Sequence, residues 1–525
     1  MSRKLLPIIF AVLALSLKGQ APDIKVKWGP VMDLKDAEFS EVIGAQDGYF
    51  YTYGTENKGL LGALAKTDHV VGYYDQNSFR PKFKREIPSF EYKNSSTKYF
   101  AGYTKANGEA VLYFTSFNYK LDQKFLVSRT ITPKGKVSRV EEIATYRTSR
   151  SKKGDFQIKK SKDGSKILVY INTPYERNAD EKFKVKVLDA NHELLWENSF
   201  ALPYRDYNFK LLENTVNNDG DVYVLGYSTP DRKKGEKRDR SKSNQDYKLY
   251  YLTADSDDLV ELDLDFDNRF IANSTLSADF GDKGLIVAGF YSNEKASGSF
   301  GGIEGSFYYR LNQKSLEVEA SNFKEFGVNF MKNFMSDRRA EKGKDLRAFK
   351  FRNIIRRDDG GAVMIAEQSY MIKNEVRNAN GTITGTTYTY YRNDIIAVNF
   401  NPDGSVAWNA FIPKKQITNN DNAYFSSFLL MVDQNKVHFI YNDHKKNAEK
   451  IAEGDRLRAM RSPKRAIAVV STIEADGNVV YDQMFSNKDL GNILVPGKCY
   501  QLNDSQSIMF GQKRKKCRFG LLTFQ

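Results

Sequence analysis

Glu367 with Tyr370, and Asp443 with Tyr441, are residue types that acid–base chemistry uses. Each pair closes an alternating apolar run, "AVMIAEQSY" (362–370) and "KVHFIYND" (436–443). Two carboxyl groups flanking one bond can act as acid and base, as in glycoside hydrolysis. The plain alternative is that these are polar residues at strand ends.

Other chemistries find less in the chain. His69, His192, His438 and His444 are dispersed and show no H-E-x-x-H spacing. No G-x-S-x-G elbow and no phosphate-binding loop occurs. The stretches "DGDVYV" and "DDGGAV" lack the spaced acidic ligands and closing Glu of a calcium loop. No metal and no cofactor is therefore expected.

Charge is the second candidate signal. The formal net charge is +15, and taking away Arg3, Lys4 and Lys18 of the leader described below leaves +12. An excess of this sign favours acidic partners. It is concentrated in runs: "RTSRSKKGD" (147–155), "TPDRKKGEKRDRSKSNQD" (229–246), "SDRRAEKGKDLR" (336–347), "DHKKNAEKIAEGDRLRAMRSPKR" (443–465) and "QKRKK" (512–516). Candidate binding residues are Arg232, Lys233, Lys234, Lys237, Arg238, Arg240, Lys445, Lys446, Arg456, Arg458 and Arg461. Any one run can be no more than a solvated loop. Tyr388 and Tyr390, in "NANGTITGTTYTYYRND" (378–394), have flat rings on which a sugar could stack. Alternating Tyr equally marks a strand extension.

These residues need elements to hold them, and the elements repeat. "FQIKKSKDGSKILVYIN" (156–172) is two alternating runs around an Asp-Gly turn. Asp-Gly is a hairpin signal because both residues tolerate positive φ. "KFKVKVLDANHELLWENSFAL" (182–202) supplies a second hairpin. The same four-run grammar recurs to the end of the chain. Four-stranded units in series predict an all-β fold, a single β-propeller. The last unit, "ILVPGKCYQLNDSQSIMFG" with "CRFGLLTF", has three strands, while "KVKWGPVMDL" (25–34) has the pattern of a fourth strand and no unit of its own. The N-terminal strand is thus expected to complete the last blade. That gives eight blades, with seven as the alternative. Trp28, Trp196 and Trp408 then fall on outer strands, as packing between blades.

In such a ring the A–B and C–D turns lie on one face, and the B–C loops and D–A crossovers on the other. The first set is short and rich in Asp, Asn and Gly; the second carries the basic runs. A polarised disc is expected, positive on the long-loop face. "NFKEFGVNFMKNFMSDRRAEK" (322–342) breaks the strand rhythm. Phe323, Phe326, Phe330, Met331 and Phe334 recur at helical spacing, and Asn322 with Glu325 resembles a capping box. An amphipathic helix inserted there is expected to pack on the propeller.

The first residues read as a separate element. Arg3 and Lys4 precede "LLPIIFAVLALSL", and "KGQA" follows with small residues, the layout of a secretory signal peptide over 1–21. The propeller would then occupy 22–525. No later segment has the apolar length of a membrane-spanning helix. The expected location is exported: periplasmic, associated with an outer membrane, or secreted. Export makes nucleic acid an improbable partner. Cys499 and Cys517 fall on strands two apart, roughly 9–10 Å away from each other, beyond disulfide reach, so two free thiols are expected.

"RRDDGGAVMIAEQSY" (356–370), "DIIAVNFNPDGSVAWNAFIPKKQ" (394–416) and "YFSSFLLMVDQNKVHFIYND" (424–443) resemble uncharacterised exported β-propeller proteins of Gram-negative bacteria, mainly over residues 346–444. The resemblance implies a fold and no activity. Two functions stay open. One is a non-enzymatic binding or scaffold propeller, a monomer or a subunit of an envelope complex, whose basic face engages an acidic protein or an anionic envelope glycan. The other is a carbohydrate-active hydrolase or lyase with its site at the channel mouth.

Overall fold

The computed structural model describes residues 24–524 apart from 35–36, 59–65, 150–153, 177–178, 231–242, 244, 257, 281–283, 294–301 and 434. The expected signal peptide and Arg232, Lys233, Lys234, Lys237, Arg238 and Arg240 lie outside the described residues.

Among the described residues eight antiparallel sheets form the blades, each with strands A to D side by side in that order, and a separate two-stranded sheet pairs Gly302–Ile303 with Leu346–Arg347. Blade three comprises Asp155–Lys160, Lys166–Asn172, Asp180–Asp189 and Leu194–Arg205. Blade six comprises Phe349–Arg356, Ala362–Arg377, Ile383–Phe400 and Val406–Asn419. Blade seven comprises Leu429–Asp433, Lys436–Asp443, Ile467–Ile473 and Val479–Ser486. The middle strands are covered on both faces and read as continuous apolar runs; Gly284–Ser292 of blade five is buried throughout. Outer strands keep a polar alternation, as in Leu194–Arg205.

A four-stranded sheet has two apolar faces and can cover neither alone. Here each face packs on a neighbouring blade, giving eight hydrophobic clusters, each shared by two consecutive blades. One joins blade seven to blade eight through Met431, Ile440, Met509 and Leu522. Another joins blade eight to blade one through Phe39, Phe50, Phe510 and Phe519. The ring is therefore closed by side-chain packing.

It is also closed by backbone pairing, as the sequence predicts. Ile24–Trp28 pairs antiparallel with Lys516–Phe524, from Ile24 opposite Phe524 to Trp28 opposite Gly520, and becomes strand D of blade eight. A Cβ at Gly520 would lie 2.8 Å from the Trp28 ring, so only Gly admits the indole there. Trp28 meets Phe485 of blade seven edge-on at 5.7 Å. Trp196 and Trp408 hold matching places near the start of their strands. Each caps a turn of the next blade, the indole N–H donating to Gly220 O (3.1 Å) and to Ala475 O (3.0 Å). Trp28 sits two residues further along its strand than these two.

The insertion after blade five differs from the expected single helix. Asn322 and Phe323 belong to strand D, Val318–Glu325. Two short helices follow, α1 (Val328–Met331) and α2 (Asp337–Glu341). No capping box forms. Gly327 precedes α1, and the Asn322 amide donates instead to Gly404 O at 2.8 Å. The packing expectation holds: Phe326 and Met331 are buried on the blade five–six core, and Phe334 meets Phe349 and Phe411 edge-on.

Cys499 and Cys517 are free thiols. Strand B of blade eight, Gln506–Lys513, runs between them. No helix among the described residues is long and apolar enough to cross a membrane.

Candidate functional site

Glu367 lies in strand B of blade six and is 0% exposed. Its carboxylate meets the Lys414 ammonium at 2.8 Å and the Arg352 guanidinium at 2.5 and 3.0 Å. The Ser427 hydroxyl donates at 3.0 Å. Burial works to raise the Glu367 pKa, but the Lys414 and Arg352 charges and their hydrogen bonds outweigh it and hold the group below its ordinary value. Lys414, also 0% exposed, arrives by strict alternation: Ala410, Ile412, Lys414, Gln416 and Thr418 all face inward from strand D. Extending that period past Ile412 was the signal by which the sequence could have revealed Lys414.

Asp443 closes strand B of blade seven and is buried too. It accepts from Tyr481 Oη (2.8 Å), His444 N (2.7 Å) and Asn447 Nδ2 (2.7 Å). Burial pushes its carboxyl up to about 6, against those hydrogen bonds and the Lys414 charge. Tyr441 is buried and shares a hydrogen bond with Ser471 at 2.9 Å. Tyr370 stacks on Tyr391 at 4.3 Å. The structure thus brings Glu367 and Asp443 into one internal polar region beside Lys414. All named partners of these two carboxylates are groups of the chain itself.

That region fixes the basic loop of blade seven. Asn447, the first residue of α3 (Asn447–Ala452), is buried. Its amide donates to Asp443 and to Arg458 O (3.0 Å), and its oxygen accepts from Arg458 N (3.0 Å). Further along, Met460 N donates to Lys415 O (2.8 Å) and Ile417 N to Met460 O (3.1 Å), sewing the loop to blade six. Asn487 holds Pro463 O at 3.0 Å. A segment anchored at four points presents Lys445, Lys446, Arg456, Arg458 and Arg461 as exposed side chains. Lys450 is bound to Asp455 at 3.0 Å; those five cations make no ion pair among the described residues.

Tyr388 and Tyr390 lie on a strand extension. Strands B and C of blade six run on past the blade, Met371 opposite Tyr390 to Arg377 opposite Ile383; strand D follows strand C as far as Thr389, so the arm is two-stranded from Lys373 opposite Tyr388 outward. Tyr388 is exposed, and Tyr390 Oη donates to Asn422 at 2.7 Å.

A second acidic site went unnoticed in the sequence. Glu181, on strand C of blade three, is buried beside Asp206 of the crossover into blade four. Burial, then a hydrogen bond with Asp206 and repulsion from its charge, pushes Glu181 up to about 8. Asp206 in turn accepts from Glu176 N at 2.5 Å. Both acids line a cleft of about 630 Å³ between blades three and four, with Tyr175, Tyr207 and Tyr227 on its walls. Tyr175 and Tyr207 are each 47% exposed. The two acids are 25 residues apart in a chain full of acids, so spacing alone carried no signal. Among the described residues no group of His, Cys, Asp and Glu is arranged to hold a metal ion.

No protein-family model matches this chain, and no curated protein matches it. Its fold is similar to solved structures. The WD40 domain of SCAP from fission yeast is 10% identical, with 95% of this chain and 98% of that one covered and a TM-score of 0.36. The β-propeller domain of the Trilobed protease from Pyrococcus furiosus is 10% identical, with 87% and 97% covered and a TM-score of 0.35. A protein of unknown function from Bacteroides caccae is 12% identical, with 69% and 93% covered and a TM-score of 0.27. The likeness is one of general fold, and no residue role is carried over from it.

Proposed function

We propose that this protein is an exported, non-enzymatic binding propeller that engages an acidic envelope partner, a protein or a polysaccharide, through its basic long-loop face. The observation that carries the reading is the blade-seven loop. Buried amides and carbonyls fix its backbone, while Lys445, Lys446, Arg456, Arg458 and Arg461 stay exposed and without ion pairs among the described residues. A fixed array of cations loses little conformational freedom when an anionic surface docks. The basic, apolar and small-residue layout of 1–21 supports export, as does the resemblance of residues 346–444 to exported propeller proteins.

The test is affinity capture from an envelope extract, with wild type beside a variant carrying Ser at those five positions. Capture of one protein or glycan, lost in the variant and at high salt, is expected. Equal capture by both proteins overturns the reading.

The cleft between blades three and four favours a second reading, carbohydrate processing. Glu181 carries a proton near neutral pH, as a general acid must, and exposed Tyr rings flank it. Release of reducing ends from envelope polysaccharide by wild type, and none by Glu181→Gln, would decide for it.

A further inference from the structure

The blade-six arm is an unusual object on this molecule. Strand A of blade six covers the edge of strand B as far as Gln368, and Ser369 N still bonds Ala348 O at 2.8 Å. Beyond that point, among the described residues, strand B is paired only with strand C. Residues 371–377, "MIKNEVR", therefore form an open edge, and alternate backbone N–H and C=O groups point away from the arm. All seven residues are exposed; Met371 is 44%, Ile372 39% and Val376 53% accessible. An isolated two-stranded hairpin is marginal in water, and an open edge is a template for another strand.

We propose that the occupant of this edge is a second copy of the same edge, paired antiparallel about a two-fold axis through Asn374. The sequence is self-complementary in that register. Ile372 faces Val376 of the second copy, an apolar cross-strand pair. Lys373 faces Glu375, and Glu375 faces Lys373. Asn374 faces itself, and Met371 lies along the stem of Arg377. Both signs of charge are already aligned along the strand, since Glu375 binds Lys373 at 2.9 Å and Arg377 at 2.8 Å within one chain.

The neighbouring two-fold registers are excluded by charge. An axis through Glu375 sets Glu375 against Glu375 and Lys373 against Arg377. An axis through Lys373 sets Lys373 against Lys373. Like charges directly opposite are destabilising, whereas opposite charges and apolar pairs contribute favourably. The Asn374 register also superposes the two open edges over their full length, from the residue after Tyr370 to the residue before the turn at Asn378. The product is one continuous sheet shared by two propellers. Because a seven-residue edge buries little area, the dimer is weak and concentration-dependent.

Charge reversal tests the register. Wild type, Lys373→Glu and Glu375→Lys are compared by sedimentation velocity across a concentration series. Wild type is expected to dimerise, and each variant alone to associate at least about tenfold more weakly. An equimolar mixture of the two variants is expected to dimerise again. In that heterodimer every cross-strand charge pair is attractive, although each chain's own Lys373–Glu375 ion pair stays broken. The five-Ser variant of the basic loop is expected to dimerise like wild type, which separates this proposal from the binding function. A wild type monomeric at every concentration overturns the proposal and leaves the charges as blunting an idle edge. A dimer indifferent to the reversals, or a mixture no stronger than its components, overturns it as well.

Discussion

Glu367 and Glu181 are both buried glutamates on the middle strands of a blade, yet their carboxyl groups behave in opposite ways. Glu367 meets Lys414 and Arg352 and is held ionised. Glu181 meets Asp206 and keeps its proton up to about 8. Desolvation works in the same direction on both and is the largest cause of the rise at Glu181. At Glu367 two cations from strands A and D of the same blade overcome it, whereas at Glu181 an acid from a crossover adds to it. The consequence differs in kind. The first arrangement is closed on itself and organises the surrounding loops. The second leaves a protonated acid at the wall of an open cleft.

Breaking the closed arrangement should have the largest effect. Glu367→Gln leaves Lys414 buried without its counter-charge and is expected to lower stability by about 3–5 kcal/mol, read by urea unfolding. Adding Lys414→Met should recover much of that loss. The pH dependence follows from the depressed pKa of Glu367. Its contribution is present above the unfolded carboxyl value and is lost as pH falls through the folded one. An acid-unfolding curve that is unchanged in Glu367→Gln would contradict the assignment.

The anchored loop should respond less. Asn447→Ala removes the clamp between Asp443 and Arg458 and is expected to cost about 1–3 kcal/mol. Faster proteolysis after the basic residues of 445–461 is expected, with the remaining blades intact. A loop as resistant as in wild type would show that the Met460 and Pro463 contacts suffice.

The last effect has the opposite sign. Glu181 has a folded pKa above its unfolded value, so its contribution is fully present below about 4.3 and is lost as pH rises towards about 8. Glu181→Gln stays neutral throughout. Its melting temperature should match wild type in mild acid and exceed it increasingly from pH 5 to about 8. A difference that does not grow with pH would overturn the raised pKa of Glu181.

Much of the architecture was legible along the chain, and the reason is local. Strand alternation and Asp-Gly turns are set by residues a few positions apart, and the fourth strand missing from the last unit pointed to Ile24–Trp28. The helical reading of 322–342 failed because Phe323 belongs to a strand paired with Phe307, while Phe330 and Met331 sit on a separate short helix. Aromatic residues three or four apart on either side of a strand end mimic a helical stripe. The acids were recognised by type and place only. Lys414 lies 47 positions from Glu367, and nothing in the local pattern links them.

The sequence alone determined the repeat, the closing strand and the basic character of the blade-seven loop, because periodicity, turn chemistry and charge are properties of short segments. Only the tertiary structure decided which charged groups meet. Coulomb attraction and desolvation depend on distances across strands, blades and crossovers. Packing therefore turned Glu367 and Asp443, the acids that looked available, into internal supports, and placed Glu181 and Asp206 in a cleft.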